Sequence, residues 1–302
     1  MVLPIASGPL EATRRDSVDA FPKKPPIVSI SDIHGYLESA RSALLTLADH
    51  PDYDPVVVPD SAGRLHWAEE NYVLVFNGDL IDRGPANEAV LELVARLIDE
   101  APPGRVRVTL GNHEAMALSP DHFAIPQWFA GQVTVDDRRR LLAAICSGHV
   151  VAAYRGHNVT YAHAGSPTPY RVPSVNASLR AAAEELAEAA GTATDRRCQT
   201  EIIDSYQEVL GVGGDHLKAP GAGLVWLHFD FLPPDAPPQV VGHTRHRTPT
   251  QKGAVSCQNV LRENLECTGG EAVFFETPET LSACIRSPDG GVDTEELATF
   301  EG

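Results

Sequence analysis

Residues 105–114 read RVRVTLGNHE. The β-branched run VRVT has the character of a buried strand, Gly111 stops it, and an amide, an imidazole and a carboxylate follow on Asn112, His113 and Glu114. A packed core excludes such a triplet unless every group is hydrogen-bonded or neutralised, and a surface loop has no need of it. The pattern recurs. PIVSISDIHG (26–35) ends in Asp32 and His34, and YVLVFNGDLIDRGP (72–85) ends in Asp79, Asp82 and Arg83. VTYAHAG (159–165) ends in His163, and QVVGHT (239–244) ends in His243.

Between these strands lie segments of helical spacing, YLESARSALLTLADH (36–50) and NEAVLELVARLIDEA (87–101). Strands alternating with helices predict an α/β sheet. Residues 51–70 read as an excursion with a short hairpin. Residues 171–223 break the rhythm: SLRAAAEELAEAAG and CQTEIIDSYQEVLG predict two helices of an α-helical insertion. The sheet is expected to resume with LVWLHFD (224–230), QVVGHT, AVFFET (272–277) and SACIRS (282–287). The expected organisation is a flexible N-terminal arm over 1–25, one domain over 26–288, and a frayed acidic tail over 289–302.

The bulk properties narrow the function. The 302 residues carry a net charge of -17, and only Lys23, Lys24, Lys218 and Lys252 among the 24 basic residues are lysines. Such an acidic, Lys-poor surface resembles proteins adapted to high salt; a plain acidic protein from a GC-rich genome is the alternative. Either disfavours a grip on long nucleic acid, which needs positive surface. No apolar run approaches the roughly 20 residues that span a bilayer, and the first residues lack signal-peptide character. The expectation is a cytoplasmic protein with no membrane partner. The five cysteines have no CxxC spacing, so ordinary thiols are expected rather than a thiolate metal site.

Residues at the carboxyl ends of parallel strands converge in space although far apart in sequence. Asp32, His34, Asp79, Asn112, His163 and His243 together offer oxygen and nitrogen donors without sulfur, a set suited to Mn, Zn, Fe or Mg. Six ligands exceed one tetrahedral ion and fit a pair, with Asp79 as the natural bridge. Two-metal hydrolytic sites hold their ions about 3.5–4 Å apart.

The ordered string DIHG, GDLIDRG, GNHE, HAG and GHT resembles the calcineurin-like metallophosphoesterases. Within them it is most similar to the phosphoprotein phosphatase family, in its bacterial-type, Shewanella-like branch, over about residues 27–280. The resemblance implies an α/β fold, a four-layer α-β-β-α metallophosphatase sandwich carrying an α-helical insertion. It implies one metal held by Asp32, His34 and Asp79, and a second held by Asp79, Asn112, His163 and His243. Two divalent ions, Mn foremost and Fe, Zn or Mg as alternatives, would activate a bridging hydroxide for in-line attack on phosphorus. His113 would protonate the leaving oxygen, oriented by Asp82, and Arg83 would grip phosphate with its planar fork. Glu114 reads as a structural partner of the loop. Related phosphatases place a second arginine near LVWLHFD; here His228 stands there, with Arg245 or Arg247 as the alternatives. The implied activity is a metal-dependent phosphatase (hydrolase) acting on phosphoproteins at Ser/Thr, with Tyr also open, or on small phosphoesters. The rivals are a diadenosine-tetraphosphatase-like nucleotide hydrolase and a non-catalytic binding scaffold.

Overall fold

A computed structural model describes residues 16–68 and 71–300. Fourteen strands lie in these residues. They are β1 (Ile27–Ile30), β2 (Val57–Pro59), β3 (Leu65–Trp67), β4 (Val73–Phe76), β5 (Val106–Thr109), β6 (Val150–Val151) and β7 (Ala153–Arg155). The later ones are β8 (Thr160–Ala162), β9 (Gln239–Val241), β10 (Thr250–Lys252), β11 (Val255–Cys257), β12 (Ala272–Glu276), β13 (Thr280–Arg286) and β14 (Val292–Thr299). A seven-stranded sheet has the order β14-β13-β12-β1-β4-β5-β6, and a five-stranded sheet the order β10-β11-β9-β8-β7. The hairpin expected over 51–70 is the separate pair β2-β3.

Period-2 alternation explains how the sheets stack. In β4, Val73 and Val75 face the layer between the sheets with Tyr154, Tyr161, Val240 and Phe274, while Leu74 and Phe76 face the helical side. In β9, Val240 points inward and Val241 outward against Leu227, Phe229 and Leu232. Helices Leu37–Leu44, Asn87–Glu100 and Val135–Cys146 contribute apolar faces to the core of the larger sheet. This is the α/β sandwich the resemblance implies.

The insertion is integral to that core. Val175, Leu179, Ala183 and Leu186 of helix Val172–Ala189 belong to the main apolar cluster. At Ala152 the chain crosses from one sheet to the other, and Asn176 of this helix covers the crossing. Its Oδ1 accepts from the N–H of Ala152 (2.9 Å) and Ala153 (3.0 Å). A backbone leaving one ladder for another is thus kept hydrogen-bonded.

Three expectations need correction. LVWLHFD forms no strand: Trp226 and Leu227 donate to Gly223 O in a local turn, a 3-10 turn spans Phe229–Phe231, Leu227 and Phe229 cover β9 and β11, and Leu224, Val225 and Trp226 pack into the main core. The acidic tail pairs as β14 along β13, from Thr280↔Thr299 to Arg286↔Val292. Its backbone completes the ladder whatever the side chains are, and Asp293, Glu295 and Glu296 face solvent, where they protect the edge from pairing with another chain. In the N-terminal arm, Val18 and Phe21 are buried in the inter-sheet cluster and Asp19 pairs with Arg155 at 2.7 Å; residues 1–15 lie outside the described residues. Helices Asn112–Leu118 and Val135–Cys146, and strands β10 and β11, have no counterpart in the sequence reading. No described helix is long and apolar enough to cross a membrane, and none of the five cysteines is paired.

The inter-sheet layer sets stability. Phe274→Ala, at a position with no solvent exposure, is expected to cost about 3–5 kcal/mol. The urea midpoint measures it, and a shift worth under 1 kcal/mol would contradict this packing.

Candidate metal centre

Strands β1, β4, β5 and β6 run parallel, as do β8, β9 and β11, and the carboxyl ends from both sheets meet at one end of the sandwich. Asp32, Asp79, His113, His163 and His243 are all buried there, each no more than 5% exposed. Asp79 is the hub. Its Oδ1 accepts the backbone N–H of His113 (2.9 Å), at the start of helix Asn112–Leu118. Its Oδ2 lies 3.4 Å from His34 Nε2, 3.3 Å from His163 Nε2 and 4.0 Å from His113 Nε2. His163 Nε2 is also 3.2 Å from Asn112 Oδ1, and His243 Nδ1 is 2.9 Å from the same oxygen and 3.2 Å from His163 Nε2.

The backbone is strained to bring these groups together. Eight non-glycine residues among those described have positive φ, and six are Asp32, His34, Asp79, Asp82, Arg83 and His243. Each such residue costs about 1–3 kcal/mol, sustained only where the surroundings over-determine it. Close approach adds a second constraint. A Cβ on Gly111 would lie 2.2 Å from Asp79 N, and one on Gly242 2.2 Å from Asp32 Oδ2, so glycine alone fits both places.

The proton positions bear on what the cluster can hold. His34 Nδ1 lies 2.9 Å from Ile81 O, and His163 Nδ1 lies 3.0 Å from Asn77 O. A carbonyl only accepts, so both Nδ1 atoms carry the hydrogen and both Nε2 atoms turn toward the Asp79 carboxylate. Burial lowers His34 to about 3, outweighing the pull of Asp79, so its Nε2 presents a lone pair. Burial also opposes charge on His163, but Asp79, Asp32 and the Asn77 carbonyl together outweigh it and raise the ring to about 9. Burial would raise Asp79 as well, yet His163, His113 and His34 hold it well below the carboxylate range. Burial, with Asp79 adding to it, brings Asp32 up to about 6, and burial holds His243 well below the usual histidine range. Acceptor atoms thus face acceptor atoms, with a proton on His163 as the main relief. A divalent cation would satisfy them together, and two overlapping donor sets fit one: His34, Asp79 and His113, and Asp79, His163 and His243.

His113 Nδ1 is 2.5 Å from Asp82 Oδ2, and Asp82 Oδ1 accepts from Ala130 N (2.9 Å). Asn87 closes the turn carrying Arg83: its Oδ1 accepts from Asp82 N (2.6 Å) and its Nδ2 donates to Gly84 O (3.0 Å). The Arg83 guanidinium lies over the Trp128 ring at 3.9 Å.

The structure brings every sequence-predicted site residue to this end except one group. The expected second grip is not in contact with the cluster. His228 Nδ1 takes the Asp230 N–H at 3.3 Å, with the Asp230 carboxylate at 3.6 Å. Arg245 pairs with Glu263 at 3.0 Å, and Arg247 Nη1 turns to Cys267 Sγ at 3.8 Å. Lys218 is half-buried and within electrostatic reach of Asp79 and Asp32.

Supporting residues escaped the sequence reading. Asn259, just after β11, donates to Asp32 Oδ1 (2.7 Å); it had no signal because β11 had none. Asn77 donates to Ala162 O (3.4 Å) and Val240 O (3.2 Å), stitching the sheets beneath the site. Trp128 stands in a Pro- and Gln-flanked loop, where a large aromatic outside any periodic run was the available hint.

Residues 25–187 match the calcineurin-like phosphoesterase family. Among solved structures, the cold-active protein-tyrosine phosphatase of a psychrophilic Shewanella species is similar at TM-score 0.62 and 18% identity, over 96% of this chain and 85% of that one. A mutant cold-active protein tyrosine phosphatase is similar at TM-score 0.62 and 18% identity, over 91% of this chain and 80% of that one.

The Glu114 carboxylate ties two loops, accepting from Asp79 N (2.9 Å), Leu80 N (2.9 Å) and Gly111 N (3.0 Å). Burial, reinforced by Asp79, pushes it up to about 7 against these donors. In Glu114→Gln one oxygen becomes a donor, so at least one buried N–H loses its acceptor. A loss of about 1–3 kcal/mol is expected in urea denaturation. An unchanged midpoint would remove Glu114 as the clamp.

Proposed function

Because the chain belongs to the calcineurin-like phosphoesterase family, we propose that it is a metal-dependent phosphatase hydrolysing phosphomonoesters of phosphoproteins, at Ser/Thr and also at Tyr. One observation carries the reading. The Asp79-centred donor cluster, the His113–Asp82 pair and the Arg83 fork lie side by side at one end of the sandwich. These are the parts that bind a phosphoryl group, orient it and protonate its leaving group.

In this reading Asp32, His34 and Asp79 hold one divalent ion, and Asp79, Asn112, His163 and His243 hold the other. When bound, the ions supply Lewis-acid charge to the phosphoryl oxygens and lower the pKa of the attacking water. Asp32 is prepared for its part by His243 N (2.9 Å) and Asn259 Nδ2 (2.7 Å), which fix the carboxylate plane. Arg83 binds two phosphoryl oxygens through parallel N–H donors.

His113 falls within ligand distance of Asp79, yet its Nδ1 is committed to Asp82. That carboxylate fixes the ring orientation and aims Nε2 at the cluster. We assign it the proton donor: as the bond from phosphorus to water oxygen forms and the bond to the alcohol oxygen breaks, Nε2 gives its proton to the departing oxygen. The products are the alcohol and inorganic phosphate. A panel of phosphoserine, phosphothreonine and phosphotyrosine peptides against dinucleoside polyphosphates tests the substrate class; faster turnover of the polyphosphates would reject it.

Two substitutions test the roles. Asp79→Asn should abolish turnover and lower bound metal by elemental analysis, because one carboxylate serves both ions; two retained ions with near-normal turnover would refute the bridge. His113→Asn should keep its metal and slow alkyl phosphate hydrolysis by about 10²–10⁴-fold. The loss should be smaller on aryl phosphates, whose leaving group scarcely needs a proton. Equal losses on both would remove His113 from the leaving-group step.

A further inference from the structure

Arg83 is held in an unusual way. Its backbone is left-handed (φ 73°), its side chain is exposed, and its guanidinium makes no hydrogen bond or ion pair with any described residue. Burial, with the like charges of Arg262 and Arg245, disfavours its charge, and Asp82 and Asp79 within electrostatic reach favour it. A long side chain in that position is expected to sample many rotamers. Instead its guanidinium lies 3.9 Å from the centroid of the Trp128 ring.

Trp128 is itself fixed. Its N–H donates to Ile125 O (3.0 Å), its carbonyl accepts from Gly131 N (3.0 Å), and two residues on, Ala130 N is held by Asp82 Oδ1 at 2.9 Å. The same indole stacks on His113, with centroids 4.9 Å apart and planes 16° from parallel. It borders a cleft of about 480 Å³ lined by Asp82, Arg83, Gly84, Asn87 and Gln127 as well. The loop that carries Trp128 is therefore pinned to the residue that orients His113 and precedes Arg83.

We propose that Trp128 is the positioning residue for Arg83, holding the guanidinium by its face so that its N–H edges stay free for a phosphoryl group. A carboxylate partner would also order the fork, but it would occupy those N–H donors and compete with phosphate. An aromatic face orders the cation through its quadrupole and leaves the donors unused. Ordering beforehand removes a cost that binding would otherwise carry. This rests on Arg83 being the phosphate fork of the proposed function.

The test is a double-mutant cycle on the metal-loaded protein, with inorganic phosphate as the probe, followed by calorimetry and by inhibition of aryl phosphate hydrolysis. Trp128→Ala should weaken phosphate binding by roughly 3- to 30-fold and raise KM more than it lowers kcat. Trp128→Phe should recover most of the loss, and adding Trp128→Ala to Arg83→Ala should weaken binding no further. Additive losses, or wild-type affinity in Trp128→Ala beside a weakened Arg83→Ala, would overturn the positioning role and leave the proposed function standing. Wild-type affinity in Arg83→Ala would overturn the fork itself and this inference with it. Fluorescence keeps the test open should Trp128→Ala fold poorly. Of the three tryptophans, Trp67 and Trp226 are buried, so phosphate should change the emission of the wild type and not of Trp128→Phe. The same change in both would count against the contact.

Discussion

The Asp79 carboxylate is the constraint around which this end of the molecule is arranged. It is 2% exposed, its Oδ1 is spent on the His113 N–H, and its Oδ2 faces three imidazoles. A buried charge of that kind is tolerated only when paired. The surroundings supply part of the pairing through a proton on His163, and the His34 Nε2 lone pair is left facing the Asp79 carboxylate. A divalent cation removes the conflict. The protein stores strain here, in six left-handed non-glycine residues and two glycines without room for a Cβ, to hold a donor set that is complete only with metal.

The sandwich sustains that strain because its inner layer changes character along the strands. Toward their amino ends, Ile27, Val73 and Val75 pack with Phe274 and Tyr161. Toward their carboxyl ends, the inward positions become Ser29, Asn77 and Thr109. Ser29 donates to Gln258 (2.8 Å) and Thr109 to Asn77 (2.7 Å), while Asn77 reaches the backbone of both β8 and β9. An apolar layer fixes the spacing of the sheets, and a hydrogen-bonded layer fixes their register under the site.

Chemistry and packing meet in the loop between helices Asn112–Leu118 and Val135–Cys146. Asp82 is bound to both His113 and Ala130, so His113 and the Trp128 loop share one carboxylate. Trp128 in turn touches both His113 and Arg83. Groups assigned to leaving-group protonation and phosphate binding are therefore mechanically coupled, though they come from different strand ends.

The sequence by itself determined the sheet-forming strands β1, β4 and β5 and the identity of the residues at their ends. Both are local properties: β-branched runs cannot be solvated, and Asp, His, Asn and Arg beside glycine have little structural purpose there. It also placed the helical insertion, whose apolar spacing is regular. It misread LVWLHFD and the acidic tail, because an apolar run can cover a sheet as well as join one, and a backbone ladder can form beneath charged side chains. Only the tertiary structure decided what supports the site. Asn259, Asn77 and Trp128 carry no motif; each matters because of what lies opposite it in space. The same holds for the second cation: His228 occupied the expected place in sequence, yet its ring is committed to Asp230, while Lys218 lies within electrostatic reach of Asp79 and Asp32. Residue type limits which chemistry a position can perform, and the partner it meets across the fold decides whether it performs it.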